Sequence, residues 1–364
     1  MTPLARELAA RIAAEGPISV ADYMAECLLH PVHGYYTTRD PFGAAGDFTT
    51  APEISQMFGE LFGLALAQAW LDRGTPAPFT LAELGPGRGT LMADILRATQ
   101  AVPGFHAAAR VILVEASPVL RLAQEQRVSR QRDHGLHWLG AAEDLPQQPL
   151  FLIANEFFDA LPIRQYQRDD GDDDGGWRER LIGLRDGRLV FGLSERLPKV
   201  PDSPAFPGAA AGQIVEYCPQ AARIMASIGQ RIGQFGGLAY VIDYGGWRSR
   251  GDTLQALRAH RFDDPLAHPG EADLTAHVDF EALAVGAPAR AYDTQGAVLA
   301  RLGIDARAER LARGLQGDAL QSHLAAHRRL THAEEMGSLF KVLALTSAGT
   351  PLPPGFAPPQ DLAL

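Results

Sequence analysis

The hydrophobic pattern changes character near position 79. Before it, apolar residues recur at helical spacing. Leu4–Ala14 reads as a short amphipathic helix, and Ser19 with Asp22 marks the N-cap of a second helix that reaches about Leu29. The stretch from His30 to Thr50 holds Pro31, Gly34, Pro41, Gly43 and Gly46 and is turn-rich. Thr50 and Glu53 then have the spacing of a capping box ahead of an apolar helix, Ile54 to Leu71. From Phe79 short apolar strands alternate with helices. Strands are expected at Phe79–Leu84, Val111–Val114, Leu136–Leu139 and Leu150–Ala154. Helices follow at Thr90–Ala98 and after Ser117-Pro118. Strand–helix alternation implies right-handed parallel crossovers and an open α/β sheet.

Past Pro162 the alternation stops. Ile163–Arg168, Trp177–Leu184 and Arg188–Gly192 look like antiparallel strands, the last two joined at Arg185-Asp186-Gly187. Asp169–Gly176 reads as a solvated, acidic loop tip. A proline-rich connector, Pro198 to Pro207, leads to a strand at Ile214–Tyr217 and a helix from Pro219. Leu238–Asp243 is a buried strand, 247–290 is irregular, and Leu339–Leu345 is a last strand before a proline-rich tail expected to fray. The expected division is a helical cap with a cofactor-covering loop at 1–78 and a core at 79–347. Insertions fall at about 163–212 and 247–295, and the tail is 348–364.

Composition narrows the classes. With 43 acids against 33 bases, the formal charge of −10 disfavours nucleic acid as a partner. No apolar run is long enough for a membrane span, and no membrane insertion is expected. Two cysteines, Cys27 and Cys218, are too few for a disulfide scaffold or a thiolate metal cluster. No signal peptide opens the chain, so a cytoplasmic location is expected for a bacterial source. His323 and His327, four apart, read as a solvated helix face, and no metal is expected. Lys199 and Lys341 are the only lysines, and neither belongs to a phosphate-binding G-x-x-x-x-G-K-[ST] loop.

The strongest motif is Glu83-Leu84-Gly85-Pro86-Gly87-Arg88-Gly89-Thr90, where a buried strand runs into three alternate glycines and then a helix. Such a turn needs unusual backbone angles and lets a ligand approach the main chain closely. The spacing is G-x-G-x-G, not the G-x-G-x-x-G that faces a pyrophosphate. Glu83, two residues before the first glycine, suits a cationic amino-acid group better than a phosphate. S-adenosyl-L-methionine has such a group and no phosphate, so it is the expected cofactor. Glu115, ending the second strand, is placed for ribose hydroxyls. Asp144, after the third, could meet the adenine amino group. At the end of the fourth strand, Asn155-Glu156 precedes Phe157-Phe158-Asp159 in the region where open parallel sheets bind ligands.

Together with these motifs, Gly46-Asp47-Phe48-Thr49-Thr50-Ala51-Pro52-Glu53-Ile54-Ser55, Ala272–Phe280 and Met336–Val342 occur in an order that resembles the MidA-like class I S-adenosylmethionine-dependent methyltransferases. The resemblance runs from about Leu4 to Thr346. It implies a Rossmann-like seven-stranded sheet with a reversed final strand, a helical N-terminal cap and inserted elements over the cleft. Mitochondrial members are protein-arginine methyltransferases required for assembly of respiratory complex I, which implies a protein substrate such as a complex I subunit. Ala51 stands where the family pattern has serine, and the Asp169–Gly176 tip lies outside that pattern.

If the acceptor is an arginine, its guanidinium is charged at physiological pH and is a poor nucleophile. Carboxylates paired with it can localise that charge and free a lone pair. Candidates are Glu156 and Asp159 with Asn155 from the core, and Glu53, Asp273 and Asp279 from covering segments. Glu53 and Asp279 each have a rival role as helix caps. Gly46 and Asp47 are expected to close over the cofactor beside Glu83, Gly85, Gly87, Gly89, Glu115 and Asp144. His277 offers a proton acceptor. Three rivals stay open: methylation of a small molecule or base amine, a non-catalytic assembly module keeping the cofactor fold, and a nicotinamide-dependent oxidoreductase, which the glycine spacing disfavours.

Overall fold

The computed structural model describes residues 1–38, 49–131, 135–170 and 176–358. They form two compact units, each assembled from separated stretches. The first holds Met1–Phe48, Phe158–Arg223 and Gly245–Val285. The second holds Thr49–Phe157, Ile224–Tyr244 and Gly286–Leu364.

The second unit is built on a sheet whose strands we label β1 (Phe79–Leu84), β2 (Ala109–Val114), β3 (Leu136–Leu139), β4 (Leu150–Asn155), β5 (Gly237–Gly246), β6 (Ala289–Thr294) and β7 (Phe340–Thr346). Their spatial order is β3-β2-β1-β4-β5-β7-β6. β1 through β5 run parallel, and β7 is antiparallel to both β5 and β6. This path is seven strands with one reversed, as the resemblance implies, and the two-residue strand Val278–Asp279 pairs parallel with the end of β5. Every residue of β1 and β4 is buried, as continuous apolar runs covered on both faces require. β6 escaped the sequence reading because Ala-Arg-Ala-Tyr-Asp-Thr has neither an apolar run nor a clean alternation.

Helix packing sets the end of the sheet that bears the glycine loop. The helix Gln56–Asp72 buries Met57, Phe58, Phe62 and Leu66 in the same core as β1 and β4. It therefore packs with the second unit, although the expected boundary grouped it with the N-terminal cap. A Cβ on Gly59 would come within 2.7 Å of the Asp94 Cβ, and one on Gly63 within 2.9 Å of the Ile95 Cα. These two glycines let the helix lie directly against Thr90–Thr99. The expected helix Ile54–Leu71 is split at Ser55, whose extended backbone (φ −159°, ψ 136°) separates Ala51–Ile54 from Gln56–Asp72. Ser55, not Thr50, is the side-chain cap, accepting from the Met57 N–H at 3.3 Å. The tail is held as far as it is described. The Tyr240 hydroxyl donates to the Pro354 carbonyl at 2.8 Å, and Phe356 stacks on the Tyr240 ring.

The first unit packs the helices Pro3–Glu15 and Val20–Leu29 on an antiparallel sheet ordered Ile18–Ser19, Trp177–Arg185, Arg164–Arg168, Ile214–Tyr217, with Arg188–Leu197 also paired to Trp177–Arg185. Ser19 caps its helix as read, accepting from the Asp22 N–H at 3.0 Å. The hairpin turn has Asp186 at φ 51° and Gly187 at φ 73°, the two positive angles of a type I′ connection. Between 247 and 290 the chain forms Gln255–Arg258, Arg261–Asp263 and Asp273–Thr275, a three-stranded sheet. Strands of three or four residues are too short to show periodicity, so this region reads as irregular from sequence. Of the acidic tip, residues 171–175 lie outside the described residues; its base is held by Arg178, which donates to Asp169 at 2.8 Å.

Candidate functional site

β1 delivers Glu83 and the glycine loop together. Gly85, Gly87 and Gly89 have φ of 61°, 51° and 78°, so all three occupy the left-handed region. Packing alone accounts for part of this: a Cβ on Gly85 would meet the Phe157 ring at 2.7 Å, and one on Gly89 would meet Val128 at 3.0 Å. Gly85→Ala is expected to cost about 1–2 kcal/mol through backbone strain and the displaced ring. Urea unfolding checks this, and an unchanged midpoint would contradict it.

The Glu83 side chain is 3% exposed, and its Oε2 has no hydrogen-bond partner. Burial pushes its carboxyl up to about 8. A Met92 N–H hydrogen bond pulls the other way, and the charges of Glu115 and Asp94 add to the rise. A buried carboxylate oxygen without a donor is costly. An ammonium group would satisfy it, so the residues present fit the amino-acid end of S-adenosylmethionine.

At the end of β2, Glu115 Oε1 accepts from the Ser117 N–H at 2.8 Å, and Oε2 accepts from the Gln124 amide at 3.1 Å. Burial raises its carboxyl; the N–H groups of Ser117 and Ala116, the Gln124 amide and the Arg121 charge oppose that rise. The Arg121 guanidinium donates to the Glu115 carbonyl, fixing the chain where it leaves the sheet. Asp144 is exposed, in the single turn Ala142–Asp144 after β3.

At the end of β4, Glu156 takes the left-handed conformation (φ 51°), which is rare for a residue with a long side chain and clusters at functional sites. Its Oε1 accepts from the Ala51 N–H and from the Asn155 amide, both at 3.0 Å. Burial pushes the Glu156 carboxyl up to about 7; these donors and the charge of Arg329 act against the rise. The Asn155 Oδ1 is buried without a partner. Glu53 does not close a capping box. Its carboxylate accepts from the Thr90 hydroxyl, and Arg127 lies 3.7 Å away. The segment Ala51–Ile54 is therefore tied to the end of β4 through Glu156 and to the first residue of the glycine-loop helix through Glu53.

The remaining candidates belong to the first unit or fall outside the described residues. Gly46 and Asp47 lie outside them. Asp159 is buried, and its carbonyl accepts from the Ala276 N–H at 2.9 Å. Asp273 is buried and accepts from the Tyr36 hydroxyl at 2.9 Å. Burial and the charges of Asp273 and Asp159 hold that phenol well above its usual value. Asp279 caps the short helix Phe280–Leu283, accepting from the Ala282 N–H at 2.8 Å, and also accepts from the Ser249 N–H at 3.1 Å. It lines a cavity of about 190 Å³ with Phe158, Glu216, Cys218, His277 and Leu283. His323 faces the Ala308 carbonyl and His327 faces Asp305, each at 2.9 Å.

Sequence reading missed Thr90, Arg127, Gln124 and Trp138. All are ordinary polar or aromatic positions whose importance comes from what folding brings against them. Only Thr90, directly after the third glycine, had a signal to follow.

The family model for S-adenosyl-L-methionine-dependent methyltransferases matches residues 61–298. Protein arginine methyltransferase NDUFAF7, mitochondrial, from Danio rerio is 36% identical over 367 residues, covering 93% of this chain and 86% of that protein. The Drosophila melanogaster homologue is 37% identical over 376 residues, covering 94% and 84%. A Burkholderia thailandensis protein described as a likely methyl transferase, with S-adenosyl-homocysteine bound in its crystal structure, superposes with a TM-score of 0.79. It is 28% identical and covers 97% of this chain and 94% of that one. Among the described residues no helix is long and apolar enough to cross a membrane.

Proposed function

The chain belongs to the S-adenosyl-L-methionine-dependent methyltransferase family, and from that premise we propose that it methylates a guanidinium nitrogen of arginine in a protein. The unpartnered Glu83 carboxylate oxygen beside the glycine loop carries the cofactor half of this reading. The acceptor half rests on relatives named protein arginine methyltransferases. A respiratory complex I subunit is the proposed acceptor, and a cytoplasmic location is proposed for a bacterial source.

When bound, S-adenosylmethionine supplies an electrophilic methyl group on a sulfonium. Glu83 would hold the ammonium end, Glu115 would accept from the ribose hydroxyls, Asp144 would meet the adenine amino group, and Gly85, Gly87 and Gly89 would give the ligand close access to the main chain. Gly46 and Asp47 are further residues assigned to the cofactor. Methyl transfer is an in-line displacement, so catalysis consists mainly of positioning and electrostatics. Glu156 pairs with the acceptor guanidinium and draws its positive charge toward one nitrogen, leaving another with an available lone pair. Asn155 orients the Glu156 carboxylate through its amide. Asp159 is the other carboxylate assigned to the acceptor, and Glu53 contributes through its hold on Thr90.

The direct test follows thermal unfolding with S-adenosylhomocysteine and with NADH. A ligand at a hundred times its dissociation constant adds about 2.7 kcal/mol of stability. A shift with S-adenosylhomocysteine alone is expected, followed by mass-spectrometric detection of methylarginine in an incubated acceptor protein. A shift with NADH alone would overturn the cofactor assignment, and methylated amines without methylarginine would overturn the acceptor.

A further inference from the structure

Gln124 is completely buried in the helix Pro118–Val128, and both of its side-chain polar atoms are hydrogen-bonded. Its Nε2 donates to the Gly87 carbonyl at 2.7 Å and to Glu115 Oε2 at 3.1 Å. Its Oε1 accepts from the Trp138 indole N–H at 2.8 Å. One amide orientation alone satisfies these neighbours. The indole can only donate, so it must face the amide oxygen. The Gly87 carbonyl can only accept, so it must face the amide nitrogen. The remaining N–H then points at Glu115 Oε2, which accepts it at 3.1 Å. Trp138 on β3, the middle of the glycine loop and the acid at the end of β2 are thereby joined through one side chain.

We propose that Gln124 is a positioning residue for the cofactor: its buried amide locks the Glu115 carboxylate to the Gly87 main chain, so that the ribose-accepting acid and the glycine loop form one rigid site. The inference rests on reading Glu115 as the acid that accepts from the ribose hydroxyls. Each Glu115 oxygen already takes one hydrogen bond from inside the protein, Ser117 N–H on Oε1 and Gln124 on Oε2. The Ala116 N–H also bonds this carboxylate, and with about four lone-pair sites in all, the carboxylate keeps room for a ligand hydroxyl. Without the Gln124 donor, Oε2 loses the side chain that fixes its direction, and only main-chain N–H groups still hold the carboxylate. Gly87 would lose its tie to the same acid in that step. A glutamine acting only as packing would fill the same space without these consequences.

The test compares two ligands by isothermal titration: S-adenosylhomocysteine and its analogue lacking both ribose hydroxyls. Hydrogen bonds to a charged group are worth about tenfold to a hundredfold, so the wild-type protein is expected to prefer the natural ligand by that factor. Gln124→Met keeps the volume and removes the amide. It is expected to cut this preference about tenfold, with any loss of affinity for the analogue well below the loss for the natural ligand. Trp138→Phe removes the N–H that fixes the amide, and a smaller fall in the same ratio is expected. It decides the question should Gln124→Met not fold. Equal weakening of both ligands, or an unchanged preference, would show a packing residue and overturn the inference. Glu115→Gln separates the two layers. If it loses the preference while Gln124→Met and Trp138→Phe keep it, the inference alone falls. If Glu115→Gln itself keeps the preference, the ribose reading and the inference fall together.

Discussion

Glu83→Gln is expected to weaken S-adenosylhomocysteine binding by about a hundredfold or more while raising the stability of the cofactor-free protein at alkaline pH. Both effects have one origin. The carboxyl is buried with an unpartnered oxygen and held up to about 8. In the unfolded chain it releases its proton near 4.5, so the folded protein holds a proton that the unfolded one has lost. Stability of the cofactor-free form therefore falls as pH rises from about 4.5 through 8, and the loss is complete above that. A neutral amide removes this dependence, with a gain on the order of 2–4 kcal/mol at pH 9 after allowing for the amide's own burial. The cofactor's ammonium needs the ionised form, and charge-assisted pairs are among the strong hydrogen bonds. Affinity in the wild type should fall about tenfold per pH unit below about 8, and the Gln variant should lack most of that slope. Calorimetric titration at several pH values with urea unfolding of both proteins checks the set. A Gln variant that binds as tightly as wild type would remove Glu83 from the site.

Glu156→Gln is expected to lower kcat by about a hundredfold to a thousandfold with little change in Tm or in S-adenosylhomocysteine affinity. Glu156 has two plausible duties, holding the Ala51 N–H and pairing with the acceptor, and the glutamine separates them. An amide oxygen can still accept from Ala51 at the same position, so the clamp on Ala51–Ile54 survives. The negative charge needed by a guanidinium does not. Because burial pushes the Glu156 carboxyl up to about 7, activity in the wild type should rise with pH through that value as the carboxylate forms. The variant should lose this acid limb. Steady-state kinetics on an acceptor protein, alongside thermal unfolding, provides the readout. A variant with full kcat would reduce Glu156 to a structural clamp.

The strand, glycine turn and helix that carry the cofactor candidates were largely legible in sequence because they are local. Strand, turn and helix follow one another within Phe79–Thr99, and Glu83 precedes the first glycine by two residues. Capping was less legible. Thr50 and Glu53 have capping-box spacing, yet Ser55 caps the helix and Glu53 turns to Thr90. Spacing alone cannot weigh a local hydrogen bond against a partner 37 positions away. At Asp279 the local bond prevailed, and the residue is a helix cap.

The sequence by itself determined the open parallel sheet, its glycine loop, the acids at the strand ends and the antiparallel hairpin region, because these follow from periodicity and near-neighbour chemistry. Tertiary structure decided which polar groups share a network. Gln124 meets Gly87 and Trp138, Glu156 meets Ala51, and Arg127 approaches Glu53 only through folding. It also decided that Glu83 keeps an unpartnered oxygen, a property set by everything that fails to reach it. Burial and hydrogen-bond satisfaction are sums over distant neighbours, so no window of sequence contains them.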